Sequence, residues 1–242
     1  MRYKIFENKN CFITGATGGI GSQIAIIMAQ NGCNLFLTST SIAKLKALAG
    51  RIQSMCGGKN KVFYEKGDLN KIKDINQIIK TARKKIGTVD VLINCVGIFT
   101  VKDFLKCGIN DFEETFNINV RAAFIFCQEF SRDMINKKWG RIINIGSSSA
   151  YSGCKRTVLY CASKHALLGL SRALHDELKK YNIRTFCVSP SGSKTRMGKL
   201  IENQDFDTFL EPREIAEYIA FISSFDKKMV SQEVRLNRAT VE

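Results

Sequence analysis

The 242-residue chain is expected to fold as an α/β protein: a doubly wound, parallel, seven-stranded sheet with helices on both faces. Three observations predict this. Short apolar runs alternate with longer amphipathic stretches from the start of the chain, the pattern of successive βαβ units. The first apolar run leads directly into a glycine-rich turn and a helix. No Pro/Gly/Ser-rich linker, internal repeat or low-complexity segment interrupts the series, so residues 1–242 are expected to form one domain.

The elements follow in order. A strand over 11–14 (Cys-Phe-Ile-Thr) precedes a helix over 20–30, a strand over 34–37 and a helix over 42–55. A strand over 61–64, a helix over 72–86 and a strand over 89–94 come next, then a long helix over 112–135. Gly140 opens a strand over 141–145 whose residues are apolar enough for burial on both faces, as a parallel sheet requires. A long helix over 158–180, a strand over 184–188 ending at Ser189-Pro190, a helix over 214–223 and a last strand over 233–236 complete the series.

Composition narrows the function classes. Hydrophobic residues make up 45% and charged residues 24%, with only two prolines, which is ordinary globular usage and argues against disorder. The nine cysteines include no C-x-x-C pair and suit reduced thiols in a cytoplasm. His165 and His175 are the only imidazoles and fall on one predicted helix, so no metal is expected. No apolar run approaches the roughly 20 residues that span a bilayer, and no leader is evident, so neither a membrane nor export is expected. The formal charge of +15 would attract acidic partners. Its lysines are spread along the chain with no basic stripe or interleaved aromatics, so nucleic acid is not the expected partner.

The strand over 11–14 runs into Thr14-Gly15-Ala16-Thr17-Gly18-Gly19-Ile20-Gly21. Glycines there let a backbone approach a pyrophosphate, whose charge the free N–H groups and positive end of the following helix stabilise. A plain tight turn would also use glycine, but the place between strand and helix in the first βαβ unit is the one the dinucleotide-binding motif needs. Gly67-Asp68-Leu69 and Asn94-Cys95-Val96-Gly97 follow the third and fourth strands, at the edge where open α/β sheets bind ligands. Asp68 also reads as a helix N-cap.

Tyr160 and Lys164 are four residues apart and project from one helical face. A cation at that spacing favours the phenolate and suits Tyr160 to give or take a proton near neutral pH. Thirteen residues earlier, Ser147 closes a strand and offers a hydroxyl, though Ser148 and Ser149 compete for that assignment.

Together these pieces make the sequence resemble the short-chain dehydrogenase/reductase family, single-domain type. The matching residues are Thr14 to Gly21, Asp68, Asn94 to Gly97, Asn119, Ser147, Tyr160, Lys164, and Pro190 with Thr195, in the family's order and spacing. The resemblance implies a Rossmann-type fold that binds NADP or NAD and moves a hydride between a carbonyl and an alcohol. It implies that Tyr160 exchanges the proton, Ser147 holds the substrate oxygen, Lys164 binds the nicotinamide ribose, and Asn119 holds a helix distortion and a relay water. It places cofactor contacts at Gly15, Thr17, Gly18, Gly19, Ile20, Gly21, Thr38, Ser39, Thr40, Asp68, Leu69, Asn94, Val96, Gly97, Tyr160, Lys164, Pro190 and Thr195.

After the second strand the chain reads Thr38-Ser39-Thr40-Ser41, with no carboxylate to exclude a 2′-phosphate, and Lys44 follows. NADP is therefore expected over NAD, although Gly18 stands where NADP-preferring relatives often carry a basic residue. Gly140-Arg141-Ile142-Ile143-Asn144-Ile145-Gly146-Ser147 is most similar to the β-ketoacyl-(acyl carrier protein) reductases. Their acidic carrier docks on basic residues near the active-site entrance, and Lys137, Lys138, Lys179 and Lys180 fall near the matching places. Between Pro190 and the helix at Glu214 the chain is about ten residues shorter than those reductases, and Ser191 replaces their glycine. A polar or sugar-linked ketone is the alternative substrate, and a dinucleotide-sensing regulator the alternative function. The family assembles through its long helices, so a homodimer or homotetramer is expected, with Phe116, Phe124, Ala166, Leu170 and Leu174 as candidate interface residues or as core.

Overall fold

The computed structural model describes residues 2–201 and 204–239. Seven parallel strands form one sheet in the order β3-β2-β1-β4-β5-β6-β7. They are β1 (Asn10–Thr14), β2 (Asn34–Ser39), β3 (Val62–Lys66), β4 (Val91–Asn94), β5 (Gly140–Ile145), β6 (Ile183–Pro190) and β7 (Glu233–Leu236). The order reverses between β1 and β4, which opens a crevice beyond the carboxyl ends of those two strands.

Helices cover both faces, as the unbroken burial of β4, β5 and β6 demands. On one face α1 (Gly19–Gln30), α2 (Ile42–Met55) and α7 (Pro212–Ser223) bury Ile24, Met28, Leu45, Ile215 and Ile219. On the other, α3 (Ile72–Ile86), α5 (Ala122–Lys137) and α6 (Val158–Leu178) bury Ile75, Ile78, Phe126, Phe130, Met134 and Leu178. Phe12 of β1 stacks on Phe36 at 5.4 Å and meets Phe126 and Phe130 at 5.0 and 4.8 Å, tying β1 to α5.

The long helix expected over 112–135 is divided. It comprises α4 (Ile109–Phe116), a π-helical stretch (Asn117–Arg121) and α5. The π stretch widens the helix at Asn119, whose side chain is then free to bond across to neighbouring segments, as described below. The expected helix over 158–180 stays α-helical through Leu178 and tightens to a 3-10 turn at Lys179–Tyr181. The strand expected over 184–188 runs further at both ends, to Ile183 and Pro190, because Pro190 still pairs with Leu236.

Among the described residues no helix is long and apolar enough to cross a membrane. None of their His, Cys, Asp and Glu side chains group in threes that could hold a metal ion.

Candidate active site and cofactor crevice

The glycine turn is shaped by close approach. Gly15 adopts φ +62°, and a Cβ there would lie 2.9 Å from the Cys95 carbonyl oxygen and the Val96 backbone. A Cβ on Gly21 would overlap the Gly15 carbonyl oxygen, and one on Gly19 would lie 2.6 Å from the Thr195 methyl. The turn is thus wedged between the run after β4 and the segment after β6. Thr14 fixes the first contact, its Oγ1 accepting from the N–H groups of Cys95 and Val96 at 3.1 and 3.2 Å. The N–H of Ala16 bonds the Thr38 carbonyl at 3.1 Å, anchoring the turn to β2. Gly18 caps α1 without a side chain, so it offers no side-chain acceptor to the helix's first-turn N–H groups.

The run after β4 leads to the second half of the site. A Cβ on Gly97 would lie 3.5 Å from Asn119 Oδ1 and 3.6 Å from Lys164 Nζ, so both side chains converge on this backbone. Asn119 is buried; its Nδ2 donates to the Ile98 carbonyl at 3.1 Å and to Ser163 Oγ at 3.0 Å, and its Oδ1 accepts from Ile98 N at 2.9 Å. Ser163, which sequence reasoning missed, in turn donates to the Tyr160 carbonyl at 2.8 Å.

Lys164 is the most telling group. It is 4% exposed, donates to the Ile145 carbonyl at 2.8 Å, and forms no ion pair with a described carboxylate. Burying an ammonium without a counter-charge is costly, and one carbonyl leaves most of its hydrogen-bonding capacity unused. Its Nζ stands 5.6 Å from the centre of the Tyr160 ring. Tyr160 is 7% exposed, and Phe99, also missed from sequence, packs edge-on against its ring at 4.8 Å. Ser147 follows β5, two residues beyond the carbonyl that holds Lys164. Its backbone is extended, and its Oγ accepts from Ser149 N at 3.1 Å, while Ser148 and Ser149 enter a 3-10 turn. Desolvation pushes the Cys95 thiol up to about 12, with Lys164 opposing only in part, so it offers no thiolate nucleophile.

Several expected contacts have a structural use as well. The Asn94 amide is buried and donates to Asn144 Oδ1 at 2.8 Å, Asn144 donates to Ser171 Oγ at 2.9 Å, and Ser171 donates to the Leu167 carbonyl at 2.7 Å. This chain of bonds joins β4, β5 and α6 directly behind the site. Leu69 is buried in the apolar cluster, Pro190 ends β6, and Thr195 Oγ1 accepts from Gly198 N at 3.0 Å. At the outer end of the crevice, Asp68 Oδ1 accepts from Asn70 N at 3.0 Å within a turn, while the N-cap of α3 is Lys71 rather than Asp68. Thr40, Lys66, Gly67, Asp68 and Asp74 line a hollow of about 200 Å³. Lys66 was not anticipated; it reaches this place because it pairs with Ser39 in the β2–β3 ladder.

The glycine turn, the first turn of α1, and the buried Lys164 beside Tyr160 lie around the crevice beyond the carboxyl ends of β1 and β4, the place where open α/β sheets bind ligands. Residues 9–205 match the family model described as short chain dehydrogenase, and the chain belongs to that family of NAD(P)-dependent dehydrogenases and reductases. It is 32% identical to the 3-oxoacyl-acyl-carrier-protein reductase FabG of Rickettsia typhi, covering 90% of each chain. With the FabG of Aquifex aeolicus it shares 29% identity over 94% of this chain and 95% of that one. The fold matches that of an alcohol dehydrogenase from Thermococcus sibiricus complexed with 5-hydroxy-NADP, with a TM-score of 0.87, 24% identity and 98% of both chains covered.

The crevice fits such a cofactor: the glycine contacts leave no room for side chains, and Lys164 has donor capacity to spare. Gly21→Ala is expected to weaken NADP(H) binding about tenfold to a hundredfold, because the turn must shift off the Gly15 carbonyl. Fluorescence titration checks this, and unchanged affinity would show that the turn does not carry the pyrophosphate.

Proposed function

We propose that the chain is an NADP-dependent reductase of a ketone, with a 3-oxoacyl thioester the favoured substrate, working as one cofactor-binding and catalytic domain. The observation that carries the reading is the buried Lys164 ammonium, without a described carboxylate, beside the Tyr160 ring and the Gly97 backbone.

In this reading the glycine turn, from Gly15 to Gly21, and Thr195 hold the pyrophosphate. Val96 and Gly97 line the path, and Thr38, Ser39, Thr40, Asp68, Leu69 and the Asn94 and Pro190 backbones shape the adenine and nicotinamide ends. The nicotinamide supplies the hydride when bound. Lys164 donates to the ribose and stabilises negative charge on the Tyr160 oxygen. Tyr160 gives its proton to the oxygen of the carbonyl being reduced, and Ser147 donates a hydrogen bond to that same oxygen. Asn119 keeps the π-helical turn open and holds the backbone at Ile98, so that a proton can be resupplied past Lys164.

The preference for NADP rests on the absence of a carboxylate at residues 38–41 and on Lys66 in the outer hollow. Lys66→Gln is expected to lower kcat/KM for NADPH about tenfold while leaving that for NADH nearly unchanged, as loss of one charge-assisted contact implies. Equal effects on both cofactors would remove the 2′-phosphate from this place.

The carrier-linked form of the substrate depends on assembly. Lys179 and Lys180 lie one α6 length from Tyr160, about 30 Å for its 21 residues. An acidic carrier docked on Lys137, Lys138, Lys179 and Lys180 therefore serves the site of a neighbouring copy. A homodimer or homotetramer formed on α4, α5 and α6 supplies that copy, and Phe112 and Phe124 are 43% and 47% exposed on those helices. The nine cysteines are free thiols, in keeping with work in the cytoplasm.

The test is NADPH oxidation with acetoacetyl thioesters, free and carrier-linked, beside a panel of polar and sugar-linked ketones. Turnover on a thioester supports the reading, turnover confined to polar ketones replaces the substrate, and cofactor binding without turnover on any substrate favours a sensing role.

A further inference from the structure

A second hollow lies at the opposite edge of the sheet from the cofactor crevice. It is about 350 Å³ in volume and is lined by His175, Lys179, Lys180, Asn182, Ile183, Arg184, Lys227, Lys228 and Val230. Ile183 and Arg184 begin β6, whereas the cofactor crevice lies beyond the strands' carboxyl ends, so the strand length of about 26 Å separates the two.

Five of the nine lining residues are lysine or arginine, and none is acidic. Arg184 is almost fully buried and donates to the carbonyls of Phe225 and Met229 at 2.5 and 2.8 Å, and to that of Lys227. This clamp draws three carbonyl oxygens of the α7–β7 loop onto one guanidinium. The loop's negative dipole ends are thereby neutralised, and its Lys227 and Lys228 are carried to the rim facing Lys179 and Lys180. Two neighbouring carboxylates are already paired: Asp176 with Lys179 at 2.5 Å, and Asp226 with Arg141 at 2.5 Å. Lys180, Lys227 and Lys228 have no described carboxylate partner. His175 adds a buried Nδ1 with no hydrogen-bond partner.

Three ammoniums with no described carboxylate partner, of which Lys180 stands 5.1 Å from the centre of the Tyr181 ring, suit a compact, multiply charged anion better than a single carboxylate, which would satisfy one of them. The volume is that of a small-molecule site. Lysines bind phosphate as point charges without a fixed fork, which matches a rim built from flexible side chains around a committed arginine. We propose that this hollow binds a small anion carrying two or more phosphate groups, at a site separate from the cofactor crevice that shares Lys179 and Lys180 with the carrier surface described above.

The experiment is calorimetric titration of the full chain with inorganic pyrophosphate at fixed ionic strength, with and without saturating NADPH, for the wild type and for Lys227→Gln/Lys228→Gln. The wild type is expected to bind with NADPH present, and the double variant about tenfold more weakly, with an unchanged melting temperature and NADPH affinity. A Lys180→Gln variant, on the other wall, should weaken binding in the same way. The proposal is overturned by absence of saturable binding, by affinity that all variants share, or by loss of binding when NADPH is added, which would place pyrophosphate in the cofactor crevice. Loss of turnover on a carrier-linked substrate in the double variant, with no pyrophosphate binding in the wild type, would assign the surface to an acidic protein instead.

Discussion

Tyr160→Phe is expected to lower kcat by about 10²–10⁴-fold on whichever carbonyl proves to be the substrate, the range that a positioned general acid contributes. The phenol oxygen is the only atom removed. The ring keeps its edge-on contact with Phe99 at 4.8 Å, and the Tyr160 carbonyl still accepts from Ser163. Folding and the glycine turn are untouched, so melting temperature and NADPH affinity should stay near the wild-type values. Steady-state kinetics beside a cofactor titration separates these effects. A variant that keeps more than a few per cent of wild-type kcat would mean that another group delivers the proton.

Arg141→Met is expected to destabilise the fold by about 3–5 kcal/mol, as breaking a buried hydrogen-bonded cation does. Arg141 is fully buried at the start of β5, and its guanidinium donates to the carbonyls of Ser223, Gly140 and Phe225 at 2.9, 2.9 and 3.0 Å and to Asp226 at 2.5 Å. The Trp139 ring lies 4.5 Å from its charge. Burial lowers its pKa to about 10, with Asp226 offsetting part of this, so it remains charged at neutral pH. Methionine fills similar space but leaves the buried carbonyls unsatisfied. Asp226 is 41% exposed and can return to water, so most of the loss comes from the carbonyls. A drop in melting temperature of about 10 °C would follow for a chain of this size. A shift under about 2 °C would show that the α7 end does not depend on this clamp.

What the sequence made legible follows from which forces are local. Period and apolar runs placed the strands because a doubly covered parallel sheet needs unbroken burial, and β5 and β6 show it at every position. The pairing of Tyr160 with Lys164 was readable because helical geometry alone brings them together. The π-helical break at Asn117–Arg121 was not readable from periodicity, and only the family resemblance implied a distortion at Asn119; it is accompanied by bonds from Asn119 to Ile98 and Ser163, which lie 21 and 44 residues away. The clamp made by Arg141 was not readable within the strand over 141–145, since the acceptors on Ser223, Phe225 and Asp226 come 82 to 85 residues later. Lys66 carried no signal among so many lysines until the β2–β3 register set it beside Ser39. Ser163 and Phe99 were hidden for the same reason, being defined only by what they touch.

A crystal structure of the chain with NADP tests the central claim most directly. The pyrophosphate should lie on the N–H groups at Gly19–Gly21, with a nicotinamide-ribose hydroxyl within about 3.2 Å of Lys164 Nζ. A dinucleotide bound away from the glycine turn, or a Lys164 ammonium that touches only the Ile145 carbonyl in the complex, would contradict it.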